Sequence, residues 1–113
     1  MSRLFIDVDD TLVIWDYSDP GLSDQYRPNT VVIQFARRWK QFHHDGKIIV
    51  WSLGGFDYAG EWKQKLLPFA DDHLGKGPKM RIEEGDMFID DDPLPWYRHL
   101  TIHPDMLREL PNG

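Results

Sequence analysis

Two groups of aspartates, each directly after a short apolar run, are the most informative feature of this 113-residue chain. They are Asp7, Asp9 and Asp10 near the N-terminus, and Asp90, Asp91 and Asp92 about eighty residues later. Carboxylates that are brought together repel one another unless a cation or protons intervene. Hard oxygen ligands suit Mg²⁺, which keeps several waters and accepts a phosphate oxygen. The two groups therefore indicate a magnesium site that can take a phosphate group.

The first two aspartates have a spacing that suits two acids with different roles. A carboxylate can attack a phosphoryl group to form an aspartyl-phosphate. A second carboxyl group can donate a proton to the leaving oxygen. Asp7 and Asp9 lie two positions apart where a strand is expected to open into a loop, which satisfies this requirement. Taken alone, such a pair is more often a solvated turn, so the elements around it decide between the two interpretations.

Strands and helices alternate along the chain. Apolar runs rich in β-branched and aromatic residues predict strands at 4–8, 47–52, 73–74, 87–89 and 100–102. Apolar residues spaced four apart predict helices at 30–44 and around 58–66, with a closing helix at 104–110. Segment 16–29 is rich in Asp, Ser, Pro and Gly and is expected to be irregular.

This alternation indicates an α/β fold, and we expect three layers around a mainly parallel, Rossmann-like sheet. In such sheets ligands bind beyond the carboxyl ends of the strands. Asp7, Ser52 and Asp90 each stand at or just after the end of a predicted strand. We therefore expect three separate segments to deliver polar groups to one edge of the sheet.

Composition sets further bounds. The length favours one domain over residues 1–113. The net charge of −6 argues against general nucleic-acid binding, and the absence of Cys excludes disulfides and a thiol nucleophile. No apolar run suggests a membrane-spanning helix or a signal peptide, so we expect a cytoplasmic protein without a membrane partner.

Three segments resemble motifs of the haloacid dehalogenase-like (HAD) phosphohydrolase superfamily. Residues 5–13, FIDVDDTLV, are similar to its first motif, D-x-D-x-T-[LV] after an apolar strand. Residues 48–52, IIVWS, are similar to the second, an apolar strand that ends in Ser or Thr. Residues 87–91, MFIDD, are similar to the fourth, an apolar strand that ends in paired acids. The three occur in the family's order and span most of the chain.

The resemblance implies a HAD-like fold and a Mg²⁺-dependent phosphatase that forms an aspartyl-phosphate. Asp7 is then the nucleophile and a metal ligand, and Asp9 is the general acid and base, with its backbone carbonyl on the metal. Thr11 is implied to orient Asp9 or steady the loop at the phosphate site. The Ser52 hydroxyl is implied to bind a phosphate oxygen.

Further residues complete the implied site. Asp90 and Asp91 would hold the metal. The family's third motif is a Lys that neutralises phosphate and nucleophile, and both Lys76 and Lys79 fall in the appropriate interval. Lys76 is favoured, because many small family members place this Lys just before a Gly or Pro. Asp10 stands where Gly is common in the family, although many members carry Asp.

The chain is shorter than the members of that superfamily that carry a cap domain. Segment 16–29 is too short for a cap domain, so a flap at most is expected. The substrate is then a phosphorylated molecule, macromolecules included, and the protein a monomer or small homo-oligomer. The alternative is a regulatory phosphoacceptor or a non-catalytic phosphate-binding module on the same fold. A receiver-type phosphoacceptor would carry its Asp at the third strand, which the Asp-x-Asp-x-Thr pattern at the first strand disfavours.

Overall fold

A computed structural model describes residues 2–16, 25–77 and 79–109 of the chain. Its elements, in chain order, are β1 (Arg3–Asp7), β2 (Val13–Trp15), β3 (Tyr26–Pro28), α1 (Thr30–Phe42), β4 (Lys47–Ser52), α2 (Phe56–Leu66), β5 (Asp72–Gly75), β6 (Asp86–Ile89) and β7 (Thr101–Ile102). Two 3₁₀ helices follow β6, at Arg98–Leu100 and Pro104–Glu109.

Five of the strands form one parallel sheet in the order β5-β4-β1-β6-β7. The central strand, β1, pairs with β4 on one side and with β6 on the other. All four described residues of β1 beyond Arg3 are buried, as a strand covered on both faces requires. The prediction of an α/β fold with a mainly parallel sheet is confirmed.

Both α-helices pack on one face of this sheet. We call their contact region the helix-side cluster; it includes Leu4, Ile6, Ile48 and Val50 from the strands and Val32, Ala36, Trp39, Ala59 and Trp62 from the helices. The connections from β1 to β4 and from β4 to β5 run in the same direction across the sheet. Right-handed crossovers therefore place both helices on the same side.

The other face is covered without an α-helix in the described part of the chain. The opposite-face cluster consists of Phe5, Ile49, Trp51, Phe88 and Tyr97, packed by partly buried residues from 74–100. The connection from β5 to β6 runs back across the sheet, so the same handedness places it on this face. The third layer is therefore mainly irregular chain with aromatic side chains and one short 3₁₀ helix.

The predicted boundaries held better for the buried elements than for the segments at the surface. Tyr26–Pro28 pairs antiparallel with β2, so the prediction of an irregular segment was wrong at its C-terminal end. The closing helix is a 3₁₀ helix. Residues 17–24 of the predicted flap lie outside the described residues, and the flap and the single domain stay predictions.

The end of α1 shows how one glycine sets an element boundary. The Trp39 ring packs over Gly46, where a Cβ would lie only 2.5 Å from the ring atom Cη2. This contact lets the chain turn directly from the helix into β4. None of the helices in the described residues is long and apolar enough to cross a membrane.

Candidate active site

Four parallel strands end at the same edge of the sheet and present polar residues there. Asp7 is the last residue of β1 and Ser52 the last of β4, while Lys76 directly follows β5 and Asp90 directly follows β6. Strand order reverses beside β1. The chain first adds β4 and β5 on one side of β1 and then crosses back to add β6 on the other side. Open α/β sheets bind ligands in the crevice at such a switch point. The structure thus brings together the residues that the sequence predicted would meet at one edge.

A cavity of about 200 Å³ opens at this edge. Its lining residues are Asp7, Asp9, Asp10, Ser52, Leu53, Lys76, Asp90, Asp91 and Asp92. Two predicted phosphate ligands are not among them. Thr11 is fully buried behind the carboxylates, and Lys79 is exposed elsewhere on the surface.

Lys76 is the electrostatic centre of the cavity. Its Nζ donates to Asp7 Oδ1 and to Asp90 Oδ2, both at 2.7 Å. The Lys76 side chain is only 4% exposed, and burial alone would lower its pKa. The charges and hydrogen bonds of the two carboxylates outweigh burial and hold the Lys76 pKa above its ordinary value. This lysine is therefore a permanent cation between the ends of β1 and β6.

Asp7 lies in an environment that disfavours its charge. Burial and, to a lesser extent, the neighbouring Asp90 raise its pKa to about 8, although Lys76 opposes the shift. The nearby carboxylates outnumber the lysine, so the cluster holds excess negative charge that a bound cation would neutralise.

Asp90 is the most buried acid of the site, at 1% exposure. Its Oδ2 accepts hydrogen bonds from Lys76 and, at 2.6 Å, from the Tyr97 hydroxyl, while its Oδ1 accepts from the Asp92 backbone N–H at 3.0 Å. Burial and the bond to Asp90 raise the pKa of Tyr97 to about 12, so this hydroxyl stays a donor. Both oxygens of Asp90 are therefore fixed in place.

Thr11 links the two groups of aspartates. Its hydroxyl lies 3.2 Å from Asp7 Oδ2 and 3.2 Å from Asp91 Oδ1, and it accepts the Asp91 backbone N–H at 3.1 Å. In the loop that carries Thr11, Asp10 has a positive φ of 59°, a conformation that Asp tolerates better than most residues. In the described part of the chain Thr11 steadies the loop, and its contacts are with Asp7 and Asp91 rather than Asp9.

The carboxylates fit a divalent cation. Asp7, Asp90 and Asp91 each offer an oxygen, and these oxygens lie within 4.8 Å of one another. Opposite ligands of a six-coordinate Mg²⁺ are about 4.2 Å apart, since each bond is about 2.1 Å long, so the most widely spaced of these oxygens would have to draw together by a few tenths of an ångström to share one ion. A set of three carboxylates is also the donor chemistry that a hard cation prefers. These residues are therefore suited to hold Mg²⁺.

Asp9 is held by residues that the sequence analysis did not assign to the site. Its Oδ1 accepts a hydrogen bond from the Trp15 indole N–H at 2.9 Å and from the Tyr58 hydroxyl at 2.6 Å. In the sequence, Tyr58 reads as part of an apolar helix stripe. Its hydroxyl was the one available signal, because a half-buried tyrosine needs a hydrogen-bond partner.

Comparison of the chain with protein-family models, with curated proteins and with solved structures gave no match. The function is therefore inferred from the geometry of the site and from the motif pattern.

Proposed function

We propose that this protein is a Mg²⁺-dependent phosphatase that hydrolyses a phosphate monoester through an aspartyl-phosphate on Asp7. The observation that carries the proposal is the convergence of Asp7, Lys76, Asp90 and Asp91 at the carboxyl ends of adjacent parallel strands. The HAD-like motif pattern supports the same conclusion. HAD-like fold membership is part of this proposal.

In the first step Asp7 attacks the substrate phosphorus. A bond forms between a carboxylate oxygen of Asp7 and phosphorus, while the bond between phosphorus and the leaving oxygen breaks. Asp9 gives its proton to that oxygen, which departs as an alcohol. Asp9 suits this role because it lines the same cavity as Asp7 from the next turn of the loop.

In the second step water removes the phosphoryl group. Asp9, now a carboxylate, takes a proton from the attacking water, whose oxygen bonds to phosphorus while the bond between the Asp7 oxygen and phosphorus breaks. Inorganic phosphate leaves, and both aspartates return to their starting states. The two steps use the same residue as acid and then as base, so the cycle needs no other proton carrier.

Asp7, Asp90 and Asp91 would hold the Mg²⁺, which when bound supplies positive charge beside the phosphoryl oxygens. This charge also favours the ionised, nucleophilic form of Asp7, whose pKa is otherwise raised. Lys76 reaches Asp7 from the end of β5, two strands away in the sheet, and can stabilise the charge that develops on the transferring group. The backbone around Ser52 is fixed by a hydrogen bond from the Lys76 N–H to the Ser52 carbonyl at 2.7 Å.

The Ser52 hydroxyl is placed at the cavity by its own loop. Its Oγ accepts the Gly54 backbone N–H at 2.9 Å, which leaves the hydroxyl proton for a phosphate oxygen. Leu53, beside it on the cavity wall, is 70% exposed. This open wall is compatible with large phosphorylated substrates.

Turnover of 4-nitrophenyl phosphate by the wild type and by Asp7→Asn, with Mg²⁺ and with a chelator, tests the proposal. We expect Mg²⁺-dependent turnover in the wild type and a loss of at least about 10³-fold in Asp7→Asn, because the nucleophile is removed. Asp45→Asn, an equal change of charge at an exposed turn, is the matched control. Mass spectrometry of acid-quenched samples should find a phosphoryl adduct on Asp7 in the wild type.

Near-wild-type turnover in Asp7→Asn would exclude the covalent mechanism. An adduct on Asp7 that forms but hydrolyses only over hours would instead support the phosphoacceptor alternative.

A further inference from the structure

The Asp9 carboxylate accepts hydrogen bonds from two side chains that belong to separate elements. Trp15 belongs to β2, and Tyr58 lies in the first turn of α2. Their donors end on the same atom, Asp9 Oδ1, at 2.9 and 2.6 Å. Tyr58 is forty-nine positions from Asp9 in the chain, so only the fold brings them together.

The two donors are themselves fixed by packing. The Trp62 ring, on the helix-side cluster, stands edge-on to Trp15 at 5.8 Å and to Tyr58 at 6.4 Å between ring centres. Gly54 leaves room for the Tyr58 ring, since a Cβ at Gly54 would lie 2.7 Å from Tyr58 Cδ2. Both side chains therefore reach Asp9 from a rigid aromatic support rather than from solvent.

The direction of these bonds selects one oxygen of Asp9. The Tyr58 hydroxyl and the Trp15 indole N–H are donors here. In the described part of the chain, the two hydrogen bonds found for the Asp9 carboxylate both end on Oδ1. The second oxygen, Oδ2, is the one left for substrate.

We propose that Tyr58, with Trp15, is a positioning residue that holds Asp9 so that Oδ2 faces the leaving oxygen of the substrate. This inference rests on the proposed phosphatase function, in which Asp9 is the general acid. Neither Tyr58 nor Trp15 touches the reacting atoms; each acts through Asp9. A displacement of about 1 Å at a catalytic group is enough to cost up to about 10²-fold in rate.

The experiment uses the dependence of kcat/KM on the leaving group. Phenyl phosphate releases a phenol with a pKa of about 10, which needs a proton as it leaves, whereas 2,4-dinitrophenyl phosphate releases a much more acidic phenol that does not. With Mg²⁺ present, Tyr58→Phe should lower kcat/KM for phenyl phosphate by about tenfold or more and change that for 2,4-dinitrophenyl phosphate by less than about twofold. Trp15→Phe should have the same selective effect.

Two further variants make the assignment specific. Tyr26→Phe removes a hydroxyl from a ring that packs on Trp62 at 4.7 Å, and it should leave both substrates unchanged. In an Asp9→Asn background the selective effect of Tyr58→Phe should disappear, because a residue that acts through Asp9 has nothing left to position. Thermal denaturation of each variant checks that it is folded.

The outcomes separate this inference from the proposed function. An equal loss on both substrates, or no loss on either, in a wild-type enzyme that turns over both would overturn the positioning role and leave the phosphatase intact. Persistence of the selective effect of Tyr58→Phe in the Asp9→Asn background would also overturn it. The absence of Mg²⁺-dependent turnover in the wild type would overturn the proposed function, and this inference with it.

Discussion

Asp7→Asn should make the metal-free protein more stable, although it removes the residue on which activity depends. In the wild type, burial and Asp90 raise the pKa of Asp7 to about 8. An acid whose pKa is higher in the folded than in the unfolded state makes folding less favourable as pH rises from its unfolded value, near 3.8, to its folded value. Asparagine keeps the size of the side chain and removes this cost.

The magnitude follows from the size of the shift. Each pH unit between the two pKa values is worth about 1.4 kcal/mol, which sets an upper bound of about 6 kcal/mol at pH 8 and above. The pKa of about 8 already includes the attraction of Asp7 to Lys76, so what the variant loses is the hydrogen bonds of the carboxyl group that an amide replaces less well, and we expect a net gain of about 3 kcal/mol. For a domain of this size that corresponds to a rise in Tm of about 10 °C.

Urea and thermal denaturation in chelator, at several pH values from 5 to 9, measure this difference. The gain should be small at pH 5 and grow toward pH 8. Addition of Mg²⁺ should then raise the Tm of the wild type, because the ion binds the folded state, and should raise that of Asp7→Asn much less. Asp45→Asn, at an exposed turn, should follow the wild type throughout.

A metal-free Asp7→Asn protein that is less stable than the wild type at pH 8 would refute the reasoning about excess negative charge. A gain in stability that is the same at pH 5 and pH 8 would show that the raised pKa of Asp7 is not its cause.

Three further predictions concern the residues around the site and the core. Lys76→Met leaves buried Asp90 without its cation and should lower the free energy of unfolding in chelator by about 3 kcal/mol. Exposed Lys79→Met, the control, should change it by less than about 0.5 kcal/mol. Equal effects of the two variants in urea denaturation would contradict the burial of Lys76. The pKa of Asp71 is lowered, since hydrogen bonds from the Ile48 N–H and from a lysine outweigh burial. Asp71→Asn should therefore cost about 1 kcal/mol at pH 7, and this cost should shrink as the pH falls through the lowered pKa and the wild type also loses the charge. A pH-independent cost in urea would argue against this reasoning. Phe88→Ala should lower the free energy of unfolding by about 3–4 kcal/mol in the same assay, because the stacked Phe88 ring fills the opposite-face cluster. A loss below about 1 kcal/mol would mean that this face is loosely packed.

The buried strands could be predicted because their sequence is dictated by their surroundings. A strand covered on both faces must be apolar on both faces along its middle, and the runs within β1, β4 and β6 meet that condition. Polar residues that follow such runs then stand at the carboxyl edge of the sheet. The meeting of Asp7, Ser52 and Asp90 was therefore expected from the sequence alone, and the structure confirms it.

The surface elements could not be predicted in the same way. Tyr26–Pro28 is an exposed three-residue strand with a Pro, and only its pairing with β2 makes it one. The third layer, which has no α-helix in the described residues, also depends on distant contacts, since aromatic side chains such as Tyr97 cover the sheet without any α-helical periodicity in their sequence.

The sequence by itself determined the acids of the site, their order and the strands that carry them, because these depend on local apolar runs and on the polar residues next to them. Only the tertiary structure decided which lysine lies between Asp7 and Asp90, and that Tyr58 and Trp15 hold Asp9. The sequence favoured Lys76 over Lys79 only through the resemblance to a family, and the Tyr58 hydroxyl finds its partner forty-nine positions away. Such contacts arise from the packing of whole elements on one another, which no short window of sequence specifies.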